Sequence, residues 1–141
     1  SQLAGMIDPS SRAFAFTVNN STIKGFNNPL QQEHFFESYI EGNKFPTSSF
    51  HGKIIEQIDF TAHGTHVVRA KGLLNIHGVS KERIIKCTLV TRQESVHIHT
   101  LFTILLEDHN IKIPRIVHQK IAKEISIEVE AELRPSTGTG K

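Results

Sequence analysis

Hydrophobic and polar residues alternate one by one over residues 124–133. The apolar positions are Ile125, Ile127, Val129, Ala131 and Leu133, and glutamates and one serine stand between them. Successive side chains of a strand point to opposite faces, so a period of two predicts a β-strand with one buried and one solvent-facing side. On a helix, the glutamates would be mixed into the apolar face.

The same period recurs earlier in the chain. The apolar sets are Phe14, Phe16 and Val18; Phe50, Gly52, Ile54, Ile58 and Phe60; Val68, Ala70, Gly72, Leu74 and Ile76; Ile85, Cys87 and Leu89; and Val96, Ile98, Thr100, Phe102, Ile104 and Leu106. Glu56 falls on the apolar side of its stretch and does not fit. Turn-forming residues, such as His63-Gly64, His77-Gly78 and Asp108-His109-Asn110, separate the stretches. This organisation predicts an all-β protein, an antiparallel sandwich or barrel.

Residues 29–41 have a helical period instead. Asn28 and Pro29 suit the N-cap and the first helical position, and Gly42 can end the helix. The apolar residues that recur at three- and four-residue intervals are Leu30, Phe35, Phe36, Tyr39 and Ile40. We expect one short helix here that covers one end of the sheet. A weaker pattern at 114–123 predicts a further helical turn.

The length and charge narrow the classes of protein. A chain of 141 residues fits one domain, which we place at residues 1–134, and the polar, Gly-rich residues 135–141 are expected to form a flexible tail. The net charge of +2 gives little reason to expect nucleic-acid binding. Because no apolar run reaches about 18 residues, no membrane span is expected.

The nine histidines and the single cysteine are the candidates for chemistry. His97 and His99 share a strand face, a spacing that can hold a metal, but this face is the outer one and the sequence supplies no third ligand. Cys87 is predicted to point into an apolar interior, where a thiol is inert. Serine-nucleophile and nucleotide-binding motifs are missing. We therefore expect no enzyme, no catalytic residue, no metal and no cofactor, and keep a metal-dependent enzyme as a minor alternative.

The predicted interior is aromatic. There are nine Phe and no Trp, and five of the Phe fall on inward faces: Phe14, Phe16, Phe50, Phe60 and Phe102. The small residues Ala70, Gly72 and Cys87 lie among them. Such a mixture can leave an apolar void for a ligand, or Gly72 can mark a bend of the strand.

Several short runs, taken together, resemble the YceI-like family. They are Gln32 to Tyr39 (QEHFFESY), Lys44 to Pro46 (KFP), Phe50 to Ile54 (FHGKI), Gly72 to Lys81 (GLLNIHGVSK) and the stretch from Phe102 to Pro114. The resemblance covers roughly residues 12–134. It implies a lipocalin-like, extended antiparallel β-barrel of about seven to eight strands with a helix near its mouth. It also implies export to the periplasm or outside the cell.

The resemblance further implies a long apolar ligand inside the barrel, such as a polyisoprenoid or a fatty-acid-like lipid. We expect this chain to bind or carry such a ligand without catalysis. The residues expected to line the ligand are Phe14, Phe16, Val18, Phe36, Phe50, Ile54, Ala70, Gly72, Leu74, Cys87, Leu89, Phe102, Ile104, Ile125 and Ile127.

Two departures from the family bear on these expectations. Phe36 stands where the family commonly has Asn. Family members also usually have a signal peptide and an opening strand upstream of the part that matches Ser1 to Ile7. A barrel one strand short exposes two sheet edges, so we expect an open barrel or closure by a second chain as a homodimer. The alternative function is accordingly a ligand-free interaction or oligomerisation module that uses an exposed edge and the helix.

Overall fold

The computed structural model describes residues 3–20, 41, 44–111 and 124–133, with only the backbone for the first two residues of the last range. They form seven strands: β1 (Leu3–Ile7), β2 (Ala13–Asn19), β3 (Thr47–Ile54), β4 (Gly64–Ile76), β5 (Val79–Thr91), β6 (Val96–Leu105) and β7 (Glu124–Leu133). A 3-10 helix, Leu106–His109, follows β6. The expected helix at 29–41 (apart from Glu41), the helical turn at 114–123 and the tail at 135–141 lie outside the described residues.

Each strand pairs antiparallel with the next, so the sheet runs in the order β1 to β7 without a crossover. The sheet curls into a nearly closed barrel, which confirms the all-β, lipocalin-like expectation. β1 and β7 approach each other, but no ladder joins them in the part of the chain that the structure describes.

The register places the apolar sets of neighbouring strands on one face. Phe14 lies opposite Gly52, Gly52 opposite Gly72, and Gly72 opposite Arg83, so these four residues form one row across β2 to β5. Residues two positions away on each strand share the same face, because side chains alternate along a strand. This face carries the buried side chains and is the inside of the barrel.

The β4–β5 hairpin is the longest paired element. All thirteen residues of each strand are paired, from Gly64 with Thr91 to Ile76 with Val79. The two-residue turn is His77-Gly78, with φ of 59° and 73°. Positive φ at both positions is what a type I′ turn requires, and this turn matches the twist of the strands it joins.

The interior packs as two clusters of buried side chains. The first contains Ile7, Phe14, Ile54, Phe60, Val68, Ala70, Ile85, Cys87, Leu89, Val96 and Ile98. The second, near the 3-10 helix, contains Leu74, Ile76, Ile104, Leu106 and Ile111. We call them the large cluster and the small cluster.

β3 ends earlier than the alternation predicts. Residues 50–60 were expected to form one strand, yet the strand stops at Ile54 and Phe60 is buried from a loop. The cause is Glu56, whose carboxylate accepts hydrogen bonds from the backbone N–H and the Nε of Arg69, both at 2.7 Å. The Glu56 side chain thus accepts the hydrogen bond from the backbone N–H of Arg69 on β4 that the backbone of a longer β3 would otherwise accept.

Candidate ligand-binding site

The space between the two clusters is bounded by aromatic rings. Phe50 on β3 and Phe102 on β6 pack against both clusters, and both remain only half-buried although they point inward. Gly72 lies at the same level, between Ala70 of the large cluster and Leu74 of the small one. Apolar side chains that point inward yet stay partly accessible are typical of the lining of a site for an apolar ligand.

The rings of three phenylalanines meet on one side of this region. The ring centroid of Phe14 is 4.9 Å from that of Phe50 and 5.9 Å from that of Phe16, with tilted planes. Phe16 also lies against the backbone of Gly5 on β1, where a Cβ atom would be 2.3 Å from the ring. The aromatic surface therefore continues from β3 to the sheet edge at β1.

Arg83 brings a positive charge to the inner face. It follows the same alternation as Ile85 and Cys87, and its guanidinium carbon lies 5.6 Å from the centroid of the Phe102 ring. Its Nη2 donates a hydrogen bond to the carbonyl oxygen of Thr103 at 2.9 Å. Arg83 was not among the residues expected to line a ligand, although the set Ile85, Cys87 and Leu89, extended backwards by one step, includes it.

Cys87 lies in the large cluster and is buried, as expected. Burial raises the pKa of its thiol, because an apolar environment disfavours the thiolate. The Sγ donates to the carbonyl oxygen of Ile85 at 3.5 Å. The arrangement favours a packing role for Cys87 and not that of a nucleophile.

Two histidines organise the end of the barrel beside the small cluster. His109, only 1% exposed, donates from Nδ1 to the carbonyl oxygen of Val79 at 2.9 Å. His77 donates from Nδ1 to the carbonyl oxygen of His109 at 2.9 Å, and its Nε2 is 2.5 Å from a carboxylate oxygen of Glu41. The ring of Phe45 meets that of His77 edge-on at 4.6 Å. The burial of His109 was not foreseen from the sequence.

The expected outer position of His97 and His99 is confirmed. Their Nε2 atoms lie 3.1 Å from Glu130 and 2.8 Å from Glu128 on β7, in exposed cross-strand pairs. Among the described residues, no group of three or more His, Cys, Asp or Glu side chains is arranged to hold a metal ion. These histidines therefore pair with glutamates along the outside of the barrel.

The structure assembles most of the residues expected to line a ligand. Phe14, Ile54, Ala70, Cys87 and Leu89 are buried in the large cluster, and Leu74 and Ile104 in the small one. The residues that border the clusters are half-buried: Phe16, Phe50, Phe102 and Ile127.

Three further expected residues are Val18, Phe36 and Ile125. Val18 is half-buried and belongs to neither cluster. Phe36 and the side chain of Ile125 lie outside the described part. The half-buried subset, unlike the buried one, keeps part of its apolar surface accessible to solvent.

A family comparison agrees with this geometry. The model of the YceI-like domain matches residues 2–133. The chain belongs to the YceI-like family. None of the curated protein sequences is a significant match to it.

Solved structures of similar fold include three from different bacteria. The YceI protein of Campylobacter jejuni has a TM-score of 0.70 at 17% identity, over 96% of this chain and 82% of its own. Burkholderia cenocepacia BcnA has a TM-score of 0.73 at 12% identity, over 92% and 82%. A polyisoprenoid-binding domain from Saccharophagus degradans, implicated in plant cell wall breakdown, has a TM-score of 0.74 at 9% identity, over 94% and 82%. At these identities the likeness establishes the fold of this family member.

In the described ranges, no helix has the length and apolar character needed to cross a membrane.

Proposed function

We propose that this YceI-like protein binds and carries a long apolar molecule inside its barrel, without catalysis. The observation that carries the proposal is the pair Phe50 and Phe102, which point inward between the two clusters and remain half-buried. Binding sites for apolar molecules are concave, lined by aromatic and aliphatic side chains, and frequent in the mouths of β-barrels. A polyisoprenoid or a fatty-acid-like lipid fits this lining.

The comparison with the Saccharophagus degradans domain supports the same class of ligand, since that protein is described as polyisoprenoid-binding. Most of the described side chains that face the interior are apolar or aromatic, and the burial of Cys87 favours packing over a nucleophilic role. The family resemblance also supports export to the periplasm or beyond the cell, where a lipid carrier would work between membranes.

Two measurements test the proposal. Protein purified without organic solvent should show, in native mass spectrometry, an added mass that solvent extraction removes. Delipidated protein should then bind geranylgeraniol, and saturation at a hundred times Kd should stabilise the fold by about 2.7 kcal/mol. Absence of any bound mass, together with an unchanged Tm in geranylgeraniol and hexadecan-1-ol, would overturn the proposal.

A matched pair of variants locates the binding site. Phe102→Ala removes an inward ring, whereas Leu101→Ala removes a neighbouring side chain that points outward and is 64% exposed. We expect Phe102→Ala to weaken geranylgeraniol binding and Leu101→Ala to leave it unchanged. Equal effects would place the ligand elsewhere.

A second candidate function is an interaction module that works through the sheet edges. It is favoured by β1 and β7, which end the sheet without a ladder between them in the described residues. Unpaired edges can add strands from another chain, including a second copy. Size-exclusion chromatography with light scattering tests it: a dimer supports edge pairing, and a monomer at all concentrations contradicts it.

A further inference from the structure

Arg83 occupies a place where the barrel wall is not closed by backbone hydrogen bonds. β5 and β6 pair from Thr91 with Val96 to Cys87 with Thr100, and beyond that pair no ladder joins residues 79–86 to residues 101–105. We call this stretch the β5–β6 gap. Side chains bridge it, since Thr100 Oγ1 donates to the carbonyl oxygen of Lys86 at 2.7 Å and Arg83 donates to that of Thr103.

The far end of the gap is held by the 3-10 helix. His109 at its end donates to the carbonyl oxygen of Val79, the first residue of β5. The gap is therefore closed at both ends, by the Cys87–Thr100 pair and by His109. Between these ends lie Arg83 and Phe102, both half-buried and both on the inward face.

Charge is scarce on this inward face. Among the strand residues whose side chains are described, the inward positions hold two Lys, Arg, Asp or Glu residues, Lys81 and Arg83. Lys81 is exposed near the β4–β5 turn, whereas Arg83 is half-buried beside the aromatic rings. A cation next to apolar surface is costly unless it is paired, because burial removes part of its hydration.

The guanidinium of Arg83 still has donors to offer. It carries five N–H groups, and within the described part it makes one hydrogen bond, to a neutral carbonyl, and no ion pair. Arg69, by contrast, is paired with Glu56 at 2.7 Å. A guanidinium fork matches the oxygens of a carboxylate or phosphate, with two parallel hydrogen bonds.

We propose that Arg83 binds the anionic head group of an amphipathic ligand at the β5–β6 gap, while the apolar chain lies against Phe50 and Phe102. This assignment rests on the proposed function and adds the chemical class of the ligand: an apolar chain that ends in a carboxylate or a phosphate. Phe102 lies beneath the guanidinium and also borders both clusters, so head group and chain would meet at this ring.

The test compares acids with the matching alcohols. Affinities of delipidated protein are measured by native mass spectrometry for hexadecanoic acid against hexadecan-1-ol, and for farnesyl phosphate against farnesol. The wild type should prefer the charged member of at least one pair by about ten- to a hundredfold, which is the effect of a hydrogen bond to a charged group. The pair with the larger preference identifies carboxylate or phosphate as the head group.

Variants assign the preference to Arg83. Arg83→Gln should weaken binding of the charged member far more than binding of the alcohol and so remove the preference, and Arg83→Lys should reduce the preference. Arg92→Gln, which removes an exposed arginine in the β5–β6 turn, is the matched control and should behave as the wild type. If Arg83→Gln does not fold, Arg83→Lys decides.

The possible failures are distinguishable. Equal affinity for acid and alcohol in the wild type, or a preference unchanged in the folded Arg83 variants, overturns the role of Arg83 and leaves lipid binding intact. Failure of the wild type to bind either alcohol or either acid overturns the proposed function itself.

Discussion

Gly52 on β3 and Gly72 on β4 face each other so closely that neither position has room for a side chain. A Cβ atom on Gly52 would lie 2.0 Å from the carbonyl oxygen of Lys71 and 2.5 Å from the Cα of Gly72. A Cβ on Gly72 would lie 2.0 Å from the carbonyl oxygen of His51. The obstacles are backbone atoms, which cannot rotate away as a side chain can.

Gly72→Ala should therefore destabilise the fold by about 1–3 kcal/mol, the usual cost of forcing extra volume into a packed site. Chemical denaturation measures it. The control is Lys53→Ala, next to Gly52 on the outer face, which should change the stability by less than about 0.5 kcal/mol. An alanine at position 72 as stable as glycine would mean that the two strands can separate freely.

Alanine substitutions of Phe14 and Phe102 should differ in their effects on stability and on ligand binding. Phe14 is buried in the large cluster and packs against two other rings, so Phe14→Ala should cost about 3–5 kcal/mol. Phe102 is half-buried, so Phe102→Ala should lower the free energy of unfolding less than Phe14→Ala does. For the same loss of stability, Phe102→Ala should weaken geranylgeraniol binding more than Phe14→Ala does. Urea denaturation and ligand titration of both variants decide this. Proportional losses of stability and affinity in the two variants would contradict the division.

The contact between His77 and Glu41 predicts a pH dependence. The hydrogen bond from His77 holds the pKa of Glu41 below its usual value of 4.5. A carboxyl group whose pKa is lowered by folding stabilises the native state above its unfolded pKa, and this contribution is lost as the pH falls through the folded pKa. Glu41→Gln should therefore lower Tm at neutral pH, and the difference should shrink as the pH drops below about 4.5 and vanish below the lowered pKa.

Thermal unfolding between strongly acidic and neutral pH provides the measurement. Glu94→Gln is a suitable control, because Glu94 is exposed in the β5–β6 turn and forms no ion pair among the described residues. A Tm difference for Glu41→Gln that persists unchanged into strong acid would show that its effect does not come from the carboxylate.

Cys87 should be protected from thiol reagents in the native protein. Its side chain is buried and its raised pKa keeps it protonated, whereas the thiolate is the reactive form. Maleimide labelling should be slow in buffer and fast in concentrated guanidinium chloride. As the control, Thr65→Cys in a Cys87→Ala background places a thiol on the outer face of β4 and should react quickly without denaturant. Rapid native labelling of Cys87 would indicate an open interior at that position.

The strands could be predicted from the alternation of hydrophobic and polar residues wherever one face is buried and the other is exposed to solvent. Residues 124–133 show this best, since the alternation and β7 have the same bounds. The pattern failed at Leu3–Ile7, where Ala4, Gly5 and Met6 are all exposed and no alternation exists. It also failed after Ile54, because the contact of Glu56 with Arg69 depends on a residue thirteen positions away.

The candidate site was predictable only in its apolar part. The alternation places Phe14, Phe50 and Phe102 on the inner face. Because Arg83 is charged, the apolar set on β5 begins after it, at Ile85, and the pattern gives no reason to place Arg83 on the inner face. The placement of Arg83 follows from its register with Gly72 and from the end of the β5–β6 ladder at Cys87 and Thr100, and neither is encoded in a local pattern.

The uncrossed strand order has a consequence for how the barrel assembles. Neighbouring strands of the sheet are also consecutive in the sequence, and the β4–β5 hairpin closes through a two-residue turn. Bringing β1 to β7 closes a loop of almost the whole chain, which costs much conformational entropy. In the described residues no ladder of hydrogen bonds between β1 and β7 offsets this cost. Folding should spread outward from β4 and β5, and amide hydrogen exchange should be slowest there and fastest at β1 and β7.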